Sequence, residues 1–268
     1  MFTELNTFLG FDHLKPPKGQ FVLISDSLTD DSFLIHHFLS LYIKGGWKVC
    51  LLALAQSFGH YNAVGQKLGV HLSQAREKGQ LRFIDGLKCS LQAYTCTTQE
   101  EQAQNPLRCL CDKKATLRPL YDQVKTLVCS EEGVLEGPTL LLVDDLSVLV
   151  SLGMSVKDVA DFMHYCRVLM CPTLQSQGAI VSLVHKDADV EDEENSTLFR
   201  HMAYHSTVHL AVEGLSSGYS RDVHGQVTVT FRNVQDPSQP QTRMKTLQYK
   251  VEERNVSFFA PGTSRAVL

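Results

Sequence analysis

The sequence predicts an α/β fold in which a mostly parallel β-sheet is flanked by helices and finished by C-terminal antiparallel strands. Helical periodicities alternate with apolar runs in the first two thirds of the chain, and beyond residue 205 apolar and polar residues alternate one by one. Continuous apolar runs suit strands that are buried on both faces of a parallel sheet. These runs occupy residues 20–24, 49–54, 140–143 and 179–184.

The composition is that of one folded domain. The chain has 268 residues, of which 43% are hydrophobic and 20% charged, so it can bury a large core and is neither fibrous nor disordered in character. We expect a single domain over residues 1–268. The eight cysteines are scattered without the spacing of a disulfide framework, which predicts reduced thiols.

Three general properties narrow the function classes. The N-terminal segment "MFTELNTFLGFDHLKPP" contains acidic residues and does not resemble a secretory signal. No apolar run approaches the roughly 20 residues of a membrane-spanning helix, so we expect no membrane association. The formal net charge of −4 argues against nucleic-acid binding by this chain alone, so any RNA contact is expected to be local or shared.

The helices are predicted in chain order. Residues 33–44 are apolar nearly all round, which indicates a buried helix ending at Gly45 and Gly46. An apolar stripe over residues 117–128 predicts a second helix with Pro119 in its first turn. Ser155 and Asp158 have the spacing of an N-terminal cap, and the helix that they start is expected to end before Pro172.

Two polar segments lack periodicity and are predicted to be surface loops or disordered insertions. They are "CTTQEEQAQNP", residues 96–106, and "KDADVEDEENS", residues 186–196. The strongly acidic part of the second segment, residues 187–194, is expected to be solvated. After these segments, alternating residues predict antiparallel strands around 208–212, 227–231 and 247–251.

The loop after the first strand is the place for a phosphate-binding motif, G-x-x-x-x-G-K-[ST], in which glycines let backbone N–H groups surround phosphate and lysine neutralises charge. When this frame is laid on "SDSLTDDS", Ser25 and Asp30 replace the glycines, Asp31 replaces the lysine and only Ser32 matches. Like charges about 4 Å apart repel by about 4 kcal/mol at an effective dielectric near 20. The loop is therefore not expected to be an ordinary ATP site.

The segment "TLLLVDDLS" ends a predicted strand with Asp144 and Asp145. A carboxylate at this position can hold a metal-bound water, as in the Walker B strand of ATPases. It can equally cap the following helix, and this structural interpretation is the one that we favour.

No other constellation predicts a catalytic or metal site. His201, His205 and His209 are four residues apart, but the expected change to a strand near residue 206 separates the third from the other two. Cys109 and Cys111 lack a matching second pair. The motifs of serine hydrolases, zinc proteases and reactive cysteines are absent, so His164 and His185 are expected to be ordinary core or surface residues.

Several segments together resemble the family of Elongator complex protein 6. They are the strand-loop-helix without a Walker A motif and the stretches "QSFGHYNAVGQKLGV", "LLLVDDLSVLVSLG", "DFMHYCR" and "GLSSGYSRDVHGQVTV". The likeness extends from about residue 21 to the C-terminus. The last three stretches are specific to this family rather than to nucleotide-binding folds in general.

The resemblance implies a RecA-like fold in an accessory subunit that forms a hetero-hexameric ring with Elongator subunits 4 and 5. In the family picture this ring docks on the catalytic Elongator subunits, binds tRNA, releases it under the control of ATP and supports modification of wobble uridines. The implied location is the cytoplasm, with the nucleus as a second compartment. No cofactor is expected. Phe258 and Phe259 are candidates for a surface that contacts a neighbouring subunit, or else for the core.

Departures from an active RecA-type site predict a degenerate subunit without catalytic, cofactor-binding or metal-binding residues. Besides the changes at the phosphate loop, Gln56 stands where such ATPases place a glutamate to orient water, and a neutral amide cannot accept a proton as a carboxylate can. A site completed by a neighbouring subunit stays open. The alternatives are a divergent NTPase with an unusual phosphate-binding loop and a RecA-like interaction module of another assembly.

Overall fold

In the part of the chain described by the computed structural model, nine strands form one sheet. The described residues are 3–11, 15–27, 29, 32–95, 104–111, 116–129, 135, 137–173, 176–186, 192–215, 218, 220–232, 243–252 and 255–262. The strands are β1 (Phe21–Ser27), β2 (Lys48–Ala53), β3 (Leu81–Asp85), β4 (Thr139–Val143), β5 (Gly178–His185), β6 (Val208–Glu213), β7 (Gly225–Phe231), β8 (Arg243–Val251) and β9 (Val256–Phe259).

The sheet has the strand order β3-β2-β4-β5-β1-β6-β7-β8-β9. All pairs from β3 to β6 are parallel, and the pairs from β6 to β9 are antiparallel. The first strand therefore lies in the middle of the sheet, between two strands from much later in the chain. This confirms the predicted mostly parallel sheet with antiparallel strands at the C-terminus.

Helices cover both faces of the sheet. They are α1 (Thr3–Leu9), α2 (Ser32–Lys44), α3 (Phe58–Lys67), α4 (Leu72–Glu77), α5 (Gly86–Thr95), α6 (Arg118–Val128), α7 (Ser147–Ser151), α8 (Val156–Met170) and α9 (Glu193–His205), with a 3-10 turn at Arg108–Cys111. Helices α1 to α4 share one apolar core with one face of the sheet, while α6 to α9 pack on the opposite face.

The predicted helix boundaries are close to those observed. Helix α2 ends before Gly46, whose positive φ of 78° permits the turn into β2. Pro119 lies in the first turn of α6. The side chain of Ser155 accepts a hydrogen bond from the backbone N–H of Asp158 at 3.1 Å, which confirms the predicted cap of α8.

Other predictions were incomplete or wrong. Strands β3 and β9 were not predicted, and β6 pairs in parallel with β1 as well as antiparallel with β7. The acidic segment is not entirely a loop, because Asp192 caps α9 by accepting a bond from the N–H of Asn195 at 2.9 Å. Positions 187–191 and 96–103 lie outside the described residues. Asn105, at the end of the other polar segment, is buried and its amide donates to the carbonyl of Cys89 at 2.8 Å.

The C-terminal aromatic pair divides between core and rim. Phe258 is buried and its ring lies 6.3 Å from that of Phe33, whereas Phe259 is half-buried. Phe258 is therefore a core residue rather than a contact for a neighbouring subunit. Over the described ranges, no helix has both the length and the apolar character needed to cross a membrane.

Candidate functional site

The carboxyl ends of the central strands enclose a cavity of about 560 Å³. Adjacent strands β1 and β5 continue on opposite faces of the sheet, through α2 and α9 respectively, and such a switch point is where α/β folds bind ligands. The cavity is lined by Asp26, Thr29, Ser32, Ile35, His36, Ala55, Gln56, His60, Tyr61, Asp144, Asp145, Leu183 and His185.

The side chain of His185 joins the ends of the three central strands. It stands at the end of β5, which lies between β4 and β1. Its Nδ1 donates to Oδ1 of Asp26 at 2.6 Å and its Nε2 donates to Oδ2 of Asp145 at 3.0 Å. Both ring nitrogens donate only in the protonated imidazole. These two hydrogen bonds raise the pKa of His185 to about 11, so the side chain is an imidazolium at neutral pH.

Asp144 holds the loop that connects β2 to α3. Its two carboxylate oxygens accept hydrogen bonds from the backbone N–H of Leu54 at 2.7 Å, of Ala55 at 3.1 Å and of Gln56 at 3.2 Å. The hydroxyl of Tyr61 donates to the same carboxylate at 2.9 Å. Burial raises the pKa of Asp144 to about 6, and these donors act in the opposite direction by stabilising the charged form. This carboxylate is fully occupied by its own chain.

Asp145 has two structural partners. One oxygen accepts a hydrogen bond from the backbone N–H of Ser147 at 2.8 Å, at the start of α7, and the other accepts from His185. The expected helix cap is not observed in that form, because the N-cap position of α7 is Leu146 and Asp145 precedes it. Asp145 accepts from the first residue of α7, while Asp144 stabilises a loop from a different strand.

The degenerate phosphate loop is partly described. Ser25 is buried, and its hydroxyl lies 2.8 Å from Nε2 of His209 on the neighbouring strand β6. Ser32, the matching hydroxyl of the motif, begins α2 and lines the cavity. Asp30 and Asp31 lie outside the described residues, so their charge reversal stays a prediction from the sequence. Gln56 lines the cavity, as its position after β2 predicted.

The histidines and cysteines considered as metal ligands do not converge. The rings of His201 and His205 lie 4.7 Å apart on α9, while His209 is on β6. Nδ1 of His205 accepts a hydrogen bond from Arg167 at 3.0 Å. Among the described residues, no group of three histidine, cysteine or acidic side chains could hold a metal ion.

Cys109 and Cys111, which are two residues apart in the sequence, also lie in different surroundings. Cys109 is buried, and the thiol of Cys111 donates to the carbonyl of Ala93 at 2.9 Å. His164 is exposed on α8. None of these side chains lines the cavity.

The carboxylates of the cavity fit a divalent cation poorly. Magnesium in nucleotide-binding folds takes oxygen ligands from side chains, water and phosphates. Asp26 and Asp145 are each bonded to His185, and Asp144 is surrounded by N–H and O–H donors. The chain has thus committed the three carboxylates at these strand ends to internal partners.

Sequence reasoning missed the role of His185, which was expected to be an ordinary core or surface residue. The information that identifies this role is the order of the strands in the sheet, which no local sequence motif contains. Only when β5 is known to lie between β4 and β1 does the last residue of β5 fall between the two carboxylates.

Helix α5 is a second region of functional interest, because its large apolar residues face solvent. Gly86, Ser90 and Ala93 form the buried side. The neighbouring side, about 100° around the helix, is an apolar stripe at i, i+4 and i+7, hereafter the α5 stripe, with exposed fractions of 42%, 64% and 56% for Leu87, Leu91 and Tyr94.

Gly86 explains why this helix lies so close to the sheet. A Cβ atom at Gly86 would lie 2.7 Å from Cδ2 of Leu54 and 2.8 Å from the carbonyl oxygen of Ala53. Helix α5 therefore packs on the end of β2 through its smallest residues. The arrangement reverses the usual one, in which a helix buries its largest apolar side chains.

The fold is shared with solved structures. A KaiC-like protein from the hyperthermophilic archaeon Pyrococcus horikoshii OT3 superposes with a TM-score of 0.51 over 93% of this chain and 95% of the other, at 12% identity. This likeness concerns the fold alone, and together with the strand order it identifies a RecA-like fold, as the resemblance implied.

Sequence comparisons identify the family. A family model described as Elongation complex protein 6 matches residues 2–253. Elongator complex protein 6 of Homo sapiens and that of Danio rerio are each 46% identical to this chain, over the full length of both proteins. The Dictyostelium discoideum protein is 26% identical over 92% of each chain. The chain therefore belongs to the Elongator complex protein 6 family, whose members are accessory subunits of the Elongator complex.

Proposed function

We propose that this chain is a non-catalytic subunit that forms a hetero-hexameric, RecA-like ring with Elongator subunits 4 and 5. The ring supports modification of wobble uridines in tRNA and binds tRNA, in the cytoplasm and also in the nucleus. Family membership supports the assembly, and the internally bonded carboxylates of the cavity support the absence of catalysis. The second observation carries the proposal furthest.

Because its carboxylates are bonded to other groups of the same chain, the cavity lacks the free groups that ATP hydrolysis requires. Phosphoryl transfer depends on a cation at the phosphates, a carboxylate that holds the metal and a group that orients water. Here Asp144 holds a loop, and Asp145 accepts from the backbone N–H of Ser147 and pairs with His185. Gln56 replaces the carboxylate that orients water in RecA-type ATPases. The cavity retains the shape of a nucleotide site, while its chemistry serves the fold.

The α5 stripe is the surface that best fits contact with a neighbouring subunit. Exposed apolar residues arranged in one stripe mark protein contact sites more often than isolated ones do. The segment that follows α5 in the sequence, "CTTQEEQAQNP", is polar in composition. A ring requires heterologous contacts with two neighbours, and α5 supplies the apolar centre of one such contact.

Binding of tRNA belongs to the ring rather than to this subunit alone. The formal net charge of −4 leaves little long-range attraction for phosphates. We expect the isolated chain to bind tRNA weakly and the assembled ring to bind it well, as measured by filter binding at one fixed salt concentration.

Affinity purification of the full chain from its own cells, followed by mass spectrometry, tests the assembly. The expected result is recovery of Elongator subunits 4 and 5 in amounts comparable to this chain, together with the catalytic subunits. Recovery with a different set of proteins would indicate an interaction module of another assembly.

A substitution within the α5 stripe tests the contact surface. Leu91→Glu places a charge at the centre of the stripe and is expected to weaken copurification with the neighbouring subunit at least about tenfold, because buried unpaired charges are costly at interfaces. Val168→Glu on α8 is the matched control, since Val168 is an apolar residue of similar exposure, 55%. Equal losses for both variants, or for neither, would contradict a contact centred on α5.

The cavity itself favours one rival function, a divergent NTPase. Its volume and its position at the switch point suit a nucleotide, and Ser32 and Gln56 line it. Equilibrium titration with a fluorescent ATP analogue and magnesium separates the two functions. No saturable binding and no ATP turnover are expected for the full chain. Saturable binding with turnover that Ser32→Ala abolishes would establish the rival.

A further inference from the structure

His185 lies among acidic residues at the ends of the central strands. Its imidazolium stands between two carboxylates that are themselves nearly buried, with exposed fractions of 7% for Asp26 and 6% for Asp145. Asp26 lies in β1, and Asp145 follows the last residue of β4 by two positions. In nucleotide-binding folds the phosphate loop and the Walker B carboxylate follow the corresponding strands. A positive charge therefore lies at the strand ends, beside the position of the Walker B carboxylate.

A positive group is favoured at this place. Two carboxylates that are directed toward one point in a partly buried setting repel each other, and a cation between them offsets this repulsion. The imidazolium joins them through hydrogen bonds of 2.6 and 3.0 Å, one slightly shorter and one slightly longer than the usual range for charge-assisted pairs. A divalent ion would have to displace this ring to reach the same oxygens.

We propose that His185 is a built-in counter-ion that occupies the position between Asp26 and Asp145 which a divalent cation could otherwise take, and that it thereby closes the cavity to metal-bound nucleotide. The inference rests on the proposed function and adds to it a specific residue and a mechanism of inactivation. Loss of the lysine and glycines removes attraction for phosphate, whereas His185 occupies the carboxylate oxygens. Binding of metal-bound nucleotide is thus opposed both by the missing loop residues and by His185.

This role differs in a measurable way from that of an ordinary buried ion pair. Removing an ordinary ion-pair partner destabilises the protein and has no further effect. Removing His185 leaves one oxygen of Asp26 and one of Asp145 without their donor and directed toward one point, which is a minimal oxygen site for magnesium or manganese. The metal then takes the place of the missing imidazolium and restores stability.

Titration with manganese chloride tests the proposal. The full chain and the variants His185→Ala and His185→Gln are compared by isothermal titration calorimetry, and their thermal unfolding midpoints are measured with and without manganese. We expect weak or no saturable binding by the unchanged protein and at least about tenfold stronger binding by His185→Ala. Manganese should raise the unfolding midpoint of this variant and leave that of the unchanged protein in place.

Two controls identify the binding groups. The double variant His185→Ala/Asp145→Asn lacks one of the two carboxylates and should lose the gained affinity. His60→Ala removes another histidine of the same cavity, whose ring contacts are with His36 and Tyr61, and should gain no manganese binding. If His185→Ala is too unstable to study, His185→Gln retains more of the side-chain volume and should show the same gain.

The outcomes are distinct from those that test the proposed function. Saturable manganese binding by the unchanged protein, or folded variants of His185 that gain no binding, would overturn the inference. Neither result affects copurification with Elongator subunits 4 and 5. Conversely, a gain of manganese binding in a chain that copurifies with other partners would support the counter-ion role and refute the proposed assembly.

Discussion

The cavity at the strand ends and the α5 stripe lie on the same chain and differ in nearly every respect. The cavity is rich in ionisable groups, yet those groups are bonded to each other, as in the contacts of His185 and Asp144. The stripe has no acidic, basic or imidazole side chain among its three residues, and its large side chains are exposed. The polar groups of the cavity are bonded to each other, whereas the apolar side chains of the α5 stripe are exposed to solvent.

This difference distinguishes polar residues that stabilise the fold from apolar residues that are available to a partner. Buried polar groups stabilise loops and strand ends when their partners are internal. Exposed apolar residues make no such internal contacts and lower solubility, so a cluster of them indicates a surface that binds a partner. Four substitutions, in order of decreasing expected effect on the free energy of unfolding, test this contrast.

Asp144→Ala should have the largest effect. It leaves the backbone N–H groups of Leu54, Ala55 and Gln56 and the hydroxyl of Tyr61 without their acceptor, and we expect a loss of about 3 kcal/mol in the free energy of unfolding by urea. Asp122→Ala is the control, because its exposed ion pair with Arg118 should be worth less than about 1 kcal/mol. Similar losses for both variants would mean that the cavity is not internally bonded as described.

Gly86→Val tests how α5 is held against the sheet. The added side chain meets the backbone carbonyl of Ala53 at under 3 Å, so the helix must shift, and we expect a cost of about 2 kcal/mol. At Gly59 in α3 a Cβ atom would lie 3.7 Å from the hydroxyl of Ser57, and Gly59→Ala should change stability by less than about 1 kcal/mol. A neutral Gly86→Val would show that α5 does not depend on this close approach.

His185→Gln should cost about 1 to 2 kcal/mol at neutral pH, since the ion pairs are partly exposed to solvent. The pKa of His185 is raised from 6.5 in the unfolded chain to about 11 in the folded protein. Its stabilising contribution is therefore complete below about pH 6.5 and is lost as the pH rises toward 11. The difference between the two proteins in urea unfolding should shrink between about pH 6 and about pH 9. A difference that stays constant over this pH range would show that His185 is not an imidazolium in the folded protein.

Leu91→Glu should have the smallest effect on the isolated chain, below about 0.5 kcal/mol, because the side chain is 64% exposed. The same variant is expected to lose its partner, so stability and assembly separate at this position. A loss well above 1 kcal/mol in the isolated chain would show that the stripe is covered by the chain itself. Circular dichroism during thermal unfolding provides the measurement.

The sequence predicted most of the sheet because buried parallel strands appear as continuous apolar runs. Strand β3 escaped prediction because its burial alternates, with Arg82 exposed between Leu81 and a half-buried Phe83. Strand β9 is only four residues long. Phe258 could not be assigned to core or surface without knowing that β9 pairs with β8.

The site was predicted less well than the fold, for a physical reason. Asp144, Asp145, Ser32 and Gln56 were found because motifs place them at fixed offsets from a strand. His185 and the α5 stripe depend on which strands are neighbours and on which side of a helix is buried, and local sequence does not determine either. Helix periodicity alone would also turn Leu87, Leu91 and Tyr94 toward the core, which the close approach at Gly86 prevents.

The central place of β1 in the sheet has a consequence for synthesis of the chain. Its two neighbours are β5, which begins at Gly178, and β6, which begins at Val208. The first strand to leave the ribosome therefore waits for its hydrogen-bonding partners until most of the chain has been made. Such distant pairing slows folding and exposes apolar strand edges in the meantime. A nascent chain of this design is exposed to aggregation until β5 and β6 have been made, before it can present a folded surface to another subunit.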